Sequence, residues 1–502
     1  MFYKKTLKKI LSILLCLCLL TVFLLTFKGP ASAQNTSGIV TDIYAGVNRS
    51  FINPAAVADS PFCLHINFLT LHGGFQNNYL YTPRGEMGFN LFTNWRDMLR
   101  NPRNYISSKD EEPTYAFAKQ YGRIQGPSIS ARYNEHTFFF LTALRTGSSI
   151  LRFPYHVINF STRGLAYPPQ QNIIFSESRS SPLASASWLE LGLGYAYNII
   201  HDDHTRIALG VTARPMWGLH GARFQSDDLV YRVNSFQDVH LMMLNARLQA
   251  SLPLDYESRD LILRENIIKG RGFAADLGIT YTSKTGAHPG RSHFGPFGQN
   301  FREQYHFRMG FSLIDIGYIT FRKNTILAEV RGMKGLWADL DWIVYEDIFQ
   351  ALDDFDEVFP ENMAYAGEII NTRDEDFTVF LPAAASAQFD YSFGNNLYAY
   401  MLWVQDIPFT QGKISSPSYI GIIPRYETRR FTLALPVTLS EYSKPRVGIS
   451  VRYGILTIGA DQPGGLMNIN DMEGADFYFS IHWGLQNCRW QRRISHPCRF
   501  HW

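Results

Sequence analysis

The sequence predicts an all-β protein, a transmembrane antiparallel β-barrel of about 14 strands with a few helical loop excursions. Three observations predict this fold class. An export signal occupies residues 1–33, and short segments in which apolar and polar side chains alternate recur over residues 62–486. No apolar run after the signal approaches the roughly 18 residues that a spanning helix needs, so helical membrane spans are excluded.

Residues 1–33 have the three parts of a cleavable export signal. Four lysines between positions 4 and 9 precede an apolar stretch over residues 10–27, and Ala31-Ser32-Ala33 provides small residues for cleavage. The mature chain is therefore expected to begin at Gln34. A retained membrane anchor is the alternative, because the apolar stretch approaches the length of a spanning helix. Lipid attachment is not expected, since leucine precedes both Cys16 and Cys18 where a small residue is needed.

The mature chain is nearly neutral. The whole chain has a formal net charge of +3, and the signal removes five lysines and no acidic residue, which leaves −2. Because there is no global basic field, nucleic acid is not an expected partner. The mature cysteines are Cys63, Cys488 and Cys498, and Cys488 with Cys498 is the candidate disulfide in an oxidising compartment.

The clearest strand is predicted at residues 188–197. Every second residue is apolar on one face, and the other face carries Glu190 and small residues. The outward set is Leu189, Leu191, Leu193, Tyr195 and Tyr197. After a polar turn at residues 201–204 the alternation resumes, with Arg206 and Arg214 on the inward face. The two segments together predict a transmembrane hairpin.

The same alternation recurs at residues 128–145, 272–282, 446–460 and 476–486, and it places Asp276 on an inward face. A soluble β-sandwich explains any one hairpin alone. It explains the series less well, because the aromatic residues cluster near strand ends, where membrane interfaces favour them. In lipid every backbone hydrogen-bonding group must be paired, so the sheet is expected to close.

Two segments do not follow the strand pattern. Residues 92–120 mix apolar residues at helical spacing with a polar run, and residues 341–359 place apolar residues at intervals of three and four, as on an amphipathic helix. Both are predicted to lie outside the bilayer.

The Asn53-Pro54-Ala55 motif, followed by small residues up to Ser60, resembles the N-terminal segment of FadL-like outer-membrane barrels. That group includes long-chain fatty-acid transporters and the PorV-like barrels associated with type IX secretion. The strand at residues 62–68 and the segments at 270–278, 446–450 and 456–461 look more like an uncharacterised family of outer-membrane barrels.

The resemblance implies a plug. In the fatty-acid transporters the N-terminal segment occupies the lumen and gates a hydrophobic passage, so residues 34–61 would form a plug-like segment here. Residues 62–486 would then form the barrel and residues 487–502 a basic C-terminal tail. The alternative is that Asn53-Pro54-Ala55 forms only a turn before the first strand, using the fixed φ of proline.

No local pattern predicts catalysis, a cofactor or a metal site. The chain has no G-x-S-x-G elbow, no H-E-x-x-H and no P-loop. His201-Asp202-Asp203-His204 has metal-ligating residue types, but four polar residues between two strands are what a short turn requires. Acidic residues at 347–361 lack the spacing of a calcium loop and favour a solvated helix face. Catalytic and metal residues are therefore not assigned.

The expected function is that of a non-enzymatic outer-membrane barrel whose lumen binds or passes a small hydrophobic molecule. Candidate lumen-lining residues are Glu190, Arg206, Arg214 and Asp276, and charges at such positions must be paired or wet. The alternative is a structural or partner barrel of a secretion, attachment or motility complex at the cell surface. A lipid-modifying enzyme is a third reading. Expected partners are outer-membrane lipids, a hydrophobic small molecule and envelope or secretion-complex proteins.

Overall fold

The fold was analysed in a computed structural model, which describes residues 37–86, 105–111, 113–235, 238–253, 267–285, 305–337, 366–408, 410, 412–465 and 467–486. The predicted signal, the amphipathic segment at 341–359, residues 92–104 and 112 of the predicted excursion, the basic tail and the Cys488–Cys498 pair lie outside these residues. Residues 116–120, predicted as part of the excursion at 92–120, belong to a strand of the sheet. Cys63 is disulfide-bonded, which the sequence analysis did not predict. The other four cysteines of the chain also lie outside the described residues.

The described residues are mostly strands. Short α-helices cover Ser37–Val40 and Tyr155–Thr162, and 3-10 helices cover Ile43–Phe51, Pro54–Val57 and Pro168–Gln170. The strands are β1 (Leu64–Asn77), β2 (Leu80–Tyr81), β3 (Ser107–Ser108), β4 (Ala116–Gln125), β5 (Ser128–Tyr133), β6 (His136–Phe153), β7 (Ile174–His201), β8 (Thr205–Val233), β9 (Val239–Ser251), β10 (Gly270–Lys284), β11 (Tyr305–Phe321), β12 (Thr325–Trp337), β13 (Ala366–Arg373), β14 (Phe377–Phe380), β15 (Ala384–Gly394), β16 (Leu397–Asp406), β17 (Tyr419–Glu427), β18 (Phe431–Ala434), β19 (Val437–Ser440), β20 (Lys444–Val447), β21 (Ile449–Tyr453), β22 (Leu456–Ala460) and β23 (Gly474–Leu485).

The wall is a closed antiparallel barrel of 14 strands, as the sequence predicted. Closure is made by β1 and β23, the first and last wall strands, which pair from Leu64 opposite Leu485 to Gln76 opposite Gly474. Four wall positions are each filled by two consecutive strands, β4/β5, β14/β15, β18/β19 and β20/β21. Pro127, Pro382 and Pro436 lie at three of these breaks, because proline has no N–H to donate to the ladder.

The two ends of the barrel differ. At one end, which we call the short-turn end, tight turns join β5 to β6, β7 to β8, β15 to β16 and β21 to β22, and both β1 and β23 have their outer termini there. The connection over residues 285–304, between β10 and β11, is the one long connection at this end among those that join described strands. Asn134, Asn395 and Asn396 adopt positive φ at these turns, with values of 53°, 51° and 66°. The opposite, long-loop end carries the connections over residues 78–115, 154–173, 407–418 and 461–473. In outer-membrane barrels short turns are periplasmic and long loops extracellular.

Side chains alternate between the outside and the interior as predicted. On β7, Leu193 is 63% exposed whereas Glu190 is 1% exposed. The outward positions of neighbouring strands are also exposed and apolar, among them Leu209, Val211, Leu277, Ile279 and Phe311. Such a surface is suited to lipid, because apolar side chains in contact with water would be unfavourable. No helix in the described part of the chain is long and apolar enough to cross a membrane.

Part of the sheet extends past the wall at the long-loop end. The distal half of β8 pairs with β9 from Gly221 opposite Ser251 to Val233 opposite Val239, β9 pairs with β12, and β12 pairs with β13. The first residues of β7 pair with the same half of β8. Residues near the Tyr155–Thr162 helix pack on this extension through an apolar cluster that includes Leu165, Tyr231 and Met333. The sequence analysis did not predict this extension.

The N-terminal segment, residues 37–60, is buried throughout except for the half-buried Phe51. It lies against inward-facing positions of the wall. A Cβ placed on Gly210 of β8 would lie 2.2 Å from the Ala55 nitrogen, and one on Gly278 of β10 would lie 2.1 Å from the Asn53 side-chain oxygen. Its helices are capped locally, since the side chains of Asp42 and Asn53 accept from the backbone N–H groups of Tyr44 and Ala55.

The outward face of β7 provides a test of the membrane-facing surface. Replacing Leu193 with arginine places a charge on the lipid side, and we expect it to lower the free energy of unfolding in lipid vesicles by about 2 kcal/mol. Unfolding in urea, monitored by intrinsic fluorescence, measures this change. Asp203→Arg, in the exposed turn between β7 and β8, is the matched control and should change stability little. Equal effects of the two substitutions would contradict the assigned outward face.

Candidate functional site in the barrel interior

Five adjacent wall strands each contribute one charged side chain to a single cluster in the interior. Arg145 lies on β6, Glu190 on β7, Arg214 on β8, Asp276 on β10 and Asp315 on β11, and all five are buried. The strands are neighbours in the wall order, and period-two alternation directs the positions on β6, β7, β8 and β10 inward. We call this set the ion belt.

The ion belt is densely hydrogen-bonded. Arg145 donates to both carboxylate oxygens of Asp315, at 2.7 and 2.8 Å. Arg214 donates through one nitrogen to Asp315 at 2.7 Å and to Asp276 at 2.5 Å. Glu190 accepts from the Trp188 indole N–H at 3.0 Å and lies 3.4 Å from Arg145. Asp315 adopts a φ of 57°, so a local irregularity of β11 places this carboxylate between the two arginines.

A third guanidinium group adjoins the ion belt. Arg123 of β4 is paired with Arg145 in the register of β4 and β6, and it is buried. Its guanidinium group lies 3.9 Å from the centre of the Phe51 ring in the N-terminal segment, a cation–π arrangement. Three arginines and three carboxylates therefore occupy one level of the interior. An apolar solute cannot replace their polar contacts, so this level is unfavourable for it.

An apolar cluster lies beside the ion belt, on its long-loop side. Trp188, Met216 and Ala274 are two residues from ion-belt positions along their strands, so they share the inward face. The cluster consists of Ala184, Ala186, Trp188, Met216, Ala274, Ile319, Phe321, Phe377, Val379, Leu381 and Ile414, which are all buried. We call it the luminal apolar cluster.

Residues 412–418, between β16 and β17, cover this cluster. Ile414 reaches the inward face of β6, where a Cβ on Gly147 would lie 3.2 Å from its side chain. The segment is anchored by hydrogen bonds from the Ser415 N–H to the Ser149 hydroxyl at 2.8 Å and from the Ser416 N–H to Asp406 at 2.9 Å. Lys413 also forms an ion pair with Asp406. The cover is therefore held by polar contacts at its rim, while its inner contact is apolar.

The Asn53-Pro54-Ala55 motif fits into a part of the wall made of small residues. The Asn53 amide donates to the Gln388 side chain at 2.8 Å and to the Ile279 carbonyl at 3.1 Å. Ala55 and Ala58 pack against Ala196 of β7 and Ala208 of β8. Gly210 and Gly278 face each other in the register of β8 and β10, and any side chain there would collide with the motif.

Ion pairs also connect the N-terminal segment to the wall. Arg452 donates to Asp42 at 2.5 Å, and Arg206 donates to Asp59 at 3.2 Å. Arg452 lies on β21 and Arg206 on β8, so the two pairs attach the segment to distant positions of the barrel. Because all four groups are buried, breaking either pair would leave an uncompensated charge in the interior.

The structure places Glu190, Arg214 and Asp276 together in the ion belt, whereas Arg206 lies away from it, beside Asp59. Arg145, Asp315 and Trp188 were not predicted as site residues from the sequence. Asp315 is the charged residue within the run Leu313-Ile314-Asp315-Ile316 of β11, and this placement among apolar residues was the available signal. In the turn at residues 201–204, Asp202 accepts from the His204 and Thr205 N–H groups, and these hydrogen bonds lower the pKa of its carboxyl group. Among the described residues no cluster of metal-ligating side chains occurs.

The comparisons with known proteins agree with a barrel of uncharacterised type. The model of a family of unknown function, DUF5723, matches residues 54–461. The chain belongs to this family. The matched region includes Pro54 and Ala55 and every member of the ion belt. The predicted resemblance to an uncharacterised family of outer-membrane barrels, distantly similar to FadL-like barrels, is confirmed. None of the curated proteins matches the chain.

Several solved structures are distantly similar. A TodX deltaS2S3 mutant, described as a monoaromatic hydrocarbon channel, is 9% identical, with 88% of this chain and 95% of that chain covered and a TM-score of 0.40. The toluene transporter TodX of P. putida is 10% identical, with 87% of this chain and 92% of that chain covered and a TM-score of 0.36. A Pseudomonas aeruginosa FadL homologue is 11% identical, with 86% of this chain and 92% of that chain covered and a TM-score of 0.32. These identities and TM-scores are too low to assign the ligands of those proteins to this chain.

Removing one cation from the ion belt should destabilise the barrel. Arg214→Met leaves Asp276 and part of the Asp315 hydrogen bonding unpaired, so we expect the free energy of unfolding to fall by about 3 kcal/mol. Urea unfolding in vesicles measures this change. Arg271→Met, at an exposed position on β10, is the control and should be nearly neutral. If Arg214→Met left the free energy of unfolding unchanged, the pairing in the ion belt would not stabilise the barrel.

Enlarging the wall where the motif packs should displace the N-terminal segment. Gly278→Val puts side-chain atoms into the space of Asn53, so amide hydrogen exchange over residues 43–57 should become at least tenfold faster. Mass spectrometry of the exchanged peptides measures the effect. Ile279→Val, at the adjacent outward position, should leave the exchange of these peptides unchanged. Unchanged protection in Gly278→Val would mean that the segment does not depend on this contact.

Proposed function

We propose that this protein is a non-enzymatic outer-membrane barrel that binds a small apolar molecule at the luminal apolar cluster. The observation that carries the proposal is the position of that cluster. Apolar side chains line the barrel interior between the long-loop end and the ion belt, where a polar or water-filled interior is usual for such barrels. Sites for small apolar ligands are lined mainly by hydrophobic and aromatic side chains, and this cluster includes Trp188, Phe321 and Phe377.

The cover over the cluster supports entry from the long-loop end. Residues 412–418 lie over it, and Ile414 provides the apolar contact. A ligand that displaced Ile414 would exchange one apolar contact for another, which is a small change in free energy. A ligand that entered from the short-turn end would first meet the N-terminal segment and the ion belt. The geometry therefore favours binding from outside the cell before any onward movement.

The N-terminal segment is proposed to act as the plug of this barrel. Its support is the burial of residues 37–60 together with the ion pairs Arg452–Asp42 and Arg206–Asp59. Onward movement of a ligand would require the segment to shift, because the motif around Asn53 fills the space beside the small residues of β7, β8 and β10. The outer-membrane location is supported by the apolar outward face and the difference between the two barrel ends.

A second function, that of a platform for surface proteins, is favoured by the sheet extension. Strands β9, β12 and β13 continue the sheet beyond the wall at the long-loop end, where a binding partner outside the membrane could reach them. Deleting residues 341–359 separates the two functions. A platform should lose a co-purifying protein, whereas a ligand-binding barrel should keep its ligand.

Bromobenzene is a suitable probe, because its heavy atom quenches nearby tryptophan fluorescence. In lipid nanodiscs we expect the wild-type barrel to show a saturable quenching component that arises from Trp188, and we expect Trp188→Phe to lose that component. Titration with fluorescence detection measures it. Phenylalanine keeps an aromatic ring in the cluster, although the ring is smaller than indole and lacks the N–H that donates to Glu190.

Trp483→Phe provides the control for partitioning of bromobenzene into lipid. Trp483 is an exposed, outward-facing residue of β23, so its quenching should rise without saturation and its removal should leave the saturable component intact. Absence of any saturable component in the wild type would contradict the proposed ligand site. Loss of the component in both variants would place the probe elsewhere than at the luminal apolar cluster.

A further inference from the structure

A polar pocket with a volume of about 480 Å³ lies at the long-loop end, where β8 leaves the wall and joins the extension. Its lining comprises Pro182, Leu183, Arg223, Phe224, Gln225, Asp227, Arg247, Gln249 and Gly412. Arg223 is paired with Ala184 of the luminal apolar cluster in the register of β7 and β8, so it shares the inward face. The pocket is thus an inward-facing vestibule above the cluster.

Arg223 lies in the pocket without a carboxylate partner among the described residues. One of its terminal nitrogens donates to the Thr378 carbonyl at 3.0 Å. Gly412, with a φ of +76°, packs directly on the guanidinium group, since a Cβ there would lie 2.2 Å from its Nε. Any side chain at position 412 would therefore collide with the guanidinium group of Arg223, and glycine leaves room for it.

A second guanidinium group is close to the first. Arg247 of β9 pairs with Gln225 of β8 in the strand register, next to the Arg223–Gln249 pair. Burial lowers the pKa of the Arg223 guanidinium, and the positive charge of Arg247 lowers it further. Arg247 donates to Glu329 at 3.1 Å, but Glu329 also accepts from Arg331 at 2.8 Å. One carboxylate therefore accepts from two arginines, and no carboxylate of the described residues pairs with Arg223.

The remaining polar groups complete the site. Asp227 is the one acidic residue of the lining, and its carboxylate already accepts from the Gln225 amide at 2.8 Å. The Gln249 amide lies beside Arg223 across the β8–β9 pair. Two guanidinium groups and an amide converging on one open space are the donors that bind carboxylates and phosphates, because arginine offers several N–H groups in a planar fork.

We propose that this vestibule is a binding site for a small oxyanion, a carboxylate or a phosphate group, held by Arg223 and Arg247. An oxyanion there would neutralise the repulsion between the two guanidinium groups and add an anionic acceptor for Arg223 beside the Thr378 carbonyl. Gly412 in contact with Arg223 belongs to the same segment as Ile414, so the occupied vestibule would lie directly against the cover of the luminal apolar cluster. The site does not depend on whether that cluster binds an apolar ligand.

The test uses ligand-observed NMR on the full-length mature barrel in non-ionic detergent. Inorganic phosphate is followed by phosphorus line broadening, and butyrate by saturation transfer with butanol as its uncharged counterpart, at an ionic strength held constant with sodium chloride. We expect saturable binding of at least one of the two anions, and a Kd at least tenfold higher in Arg223→Gln and in Arg247→Gln. Arg271→Gln, on the outward face of β10, should bind as the wild type does.

Each outcome decides the proposal. Arginine-dependent binding of phosphate alone identifies a phosphate site, binding of butyrate but not butanol identifies a carboxylate site, and binding of both identifies a general oxyanion site. No saturable binding of either anion, or binding that both arginine variants retain, overturns the proposal. If Arg223→Gln fails to fold, as shown by heat-modifiable gel mobility, Arg247→Gln decides alone, because its side chain is more than half exposed.

Discussion

The structure depends on the pairing of backbone hydrogen-bonding groups along a closed wall whose outer face is apolar. A strand in hydrocarbon must have a partner on both edges, so the pairing of β1 with β23 is the condition for the whole wall. Once the wall closes, period-two alternation divides every strand into a lipid face and an interior face. The exposed Leu193 and the buried Glu190 on one strand are direct consequences of that division.

Closure of the wall also creates an interior space that has to be filled. A wall of this size encloses more space than its own side chains fill, and the chain uses three kinds of filling. Arginines and carboxylates pair in the ion belt, the N-terminal segment packs against small residues of β7, β8 and β10, and an apolar cluster lies on the long-loop side. Each charge in the belt is tolerated because a hydrogen-bonded partner lies beside it.

Period-two alternation allowed the fold class, the strand faces and the inward positions of Glu190, Arg206, Arg214 and Asp276 to be predicted from sequence. It did not allow their partners to be predicted. Asp315 bonds Arg145 across 170 positions of sequence, and Arg206 pairs with Asp59 of the N-terminal segment. Such pairs depend on the wall order and on the path of a segment with no strand pattern. The extension formed by β9, β12 and β13 was missed because alternation is the same inside and outside the bilayer.

The central claim is that residues 37–60 lie inside the closed wall, and cysteine cross-linking tests it most directly. The Asn48 amide lies 3.3 Å from the Ser480 hydroxyl, on the inward face of β23, while Phe479 faces outward. In the native envelope, Asn48→Cys with Ser480→Cys should form a disulfide that peptide mass spectrometry detects, and Asn48→Cys with Phe479→Cys should not. No cross-link to position 480, or equal cross-linking to positions 479 and 480, would contradict the account.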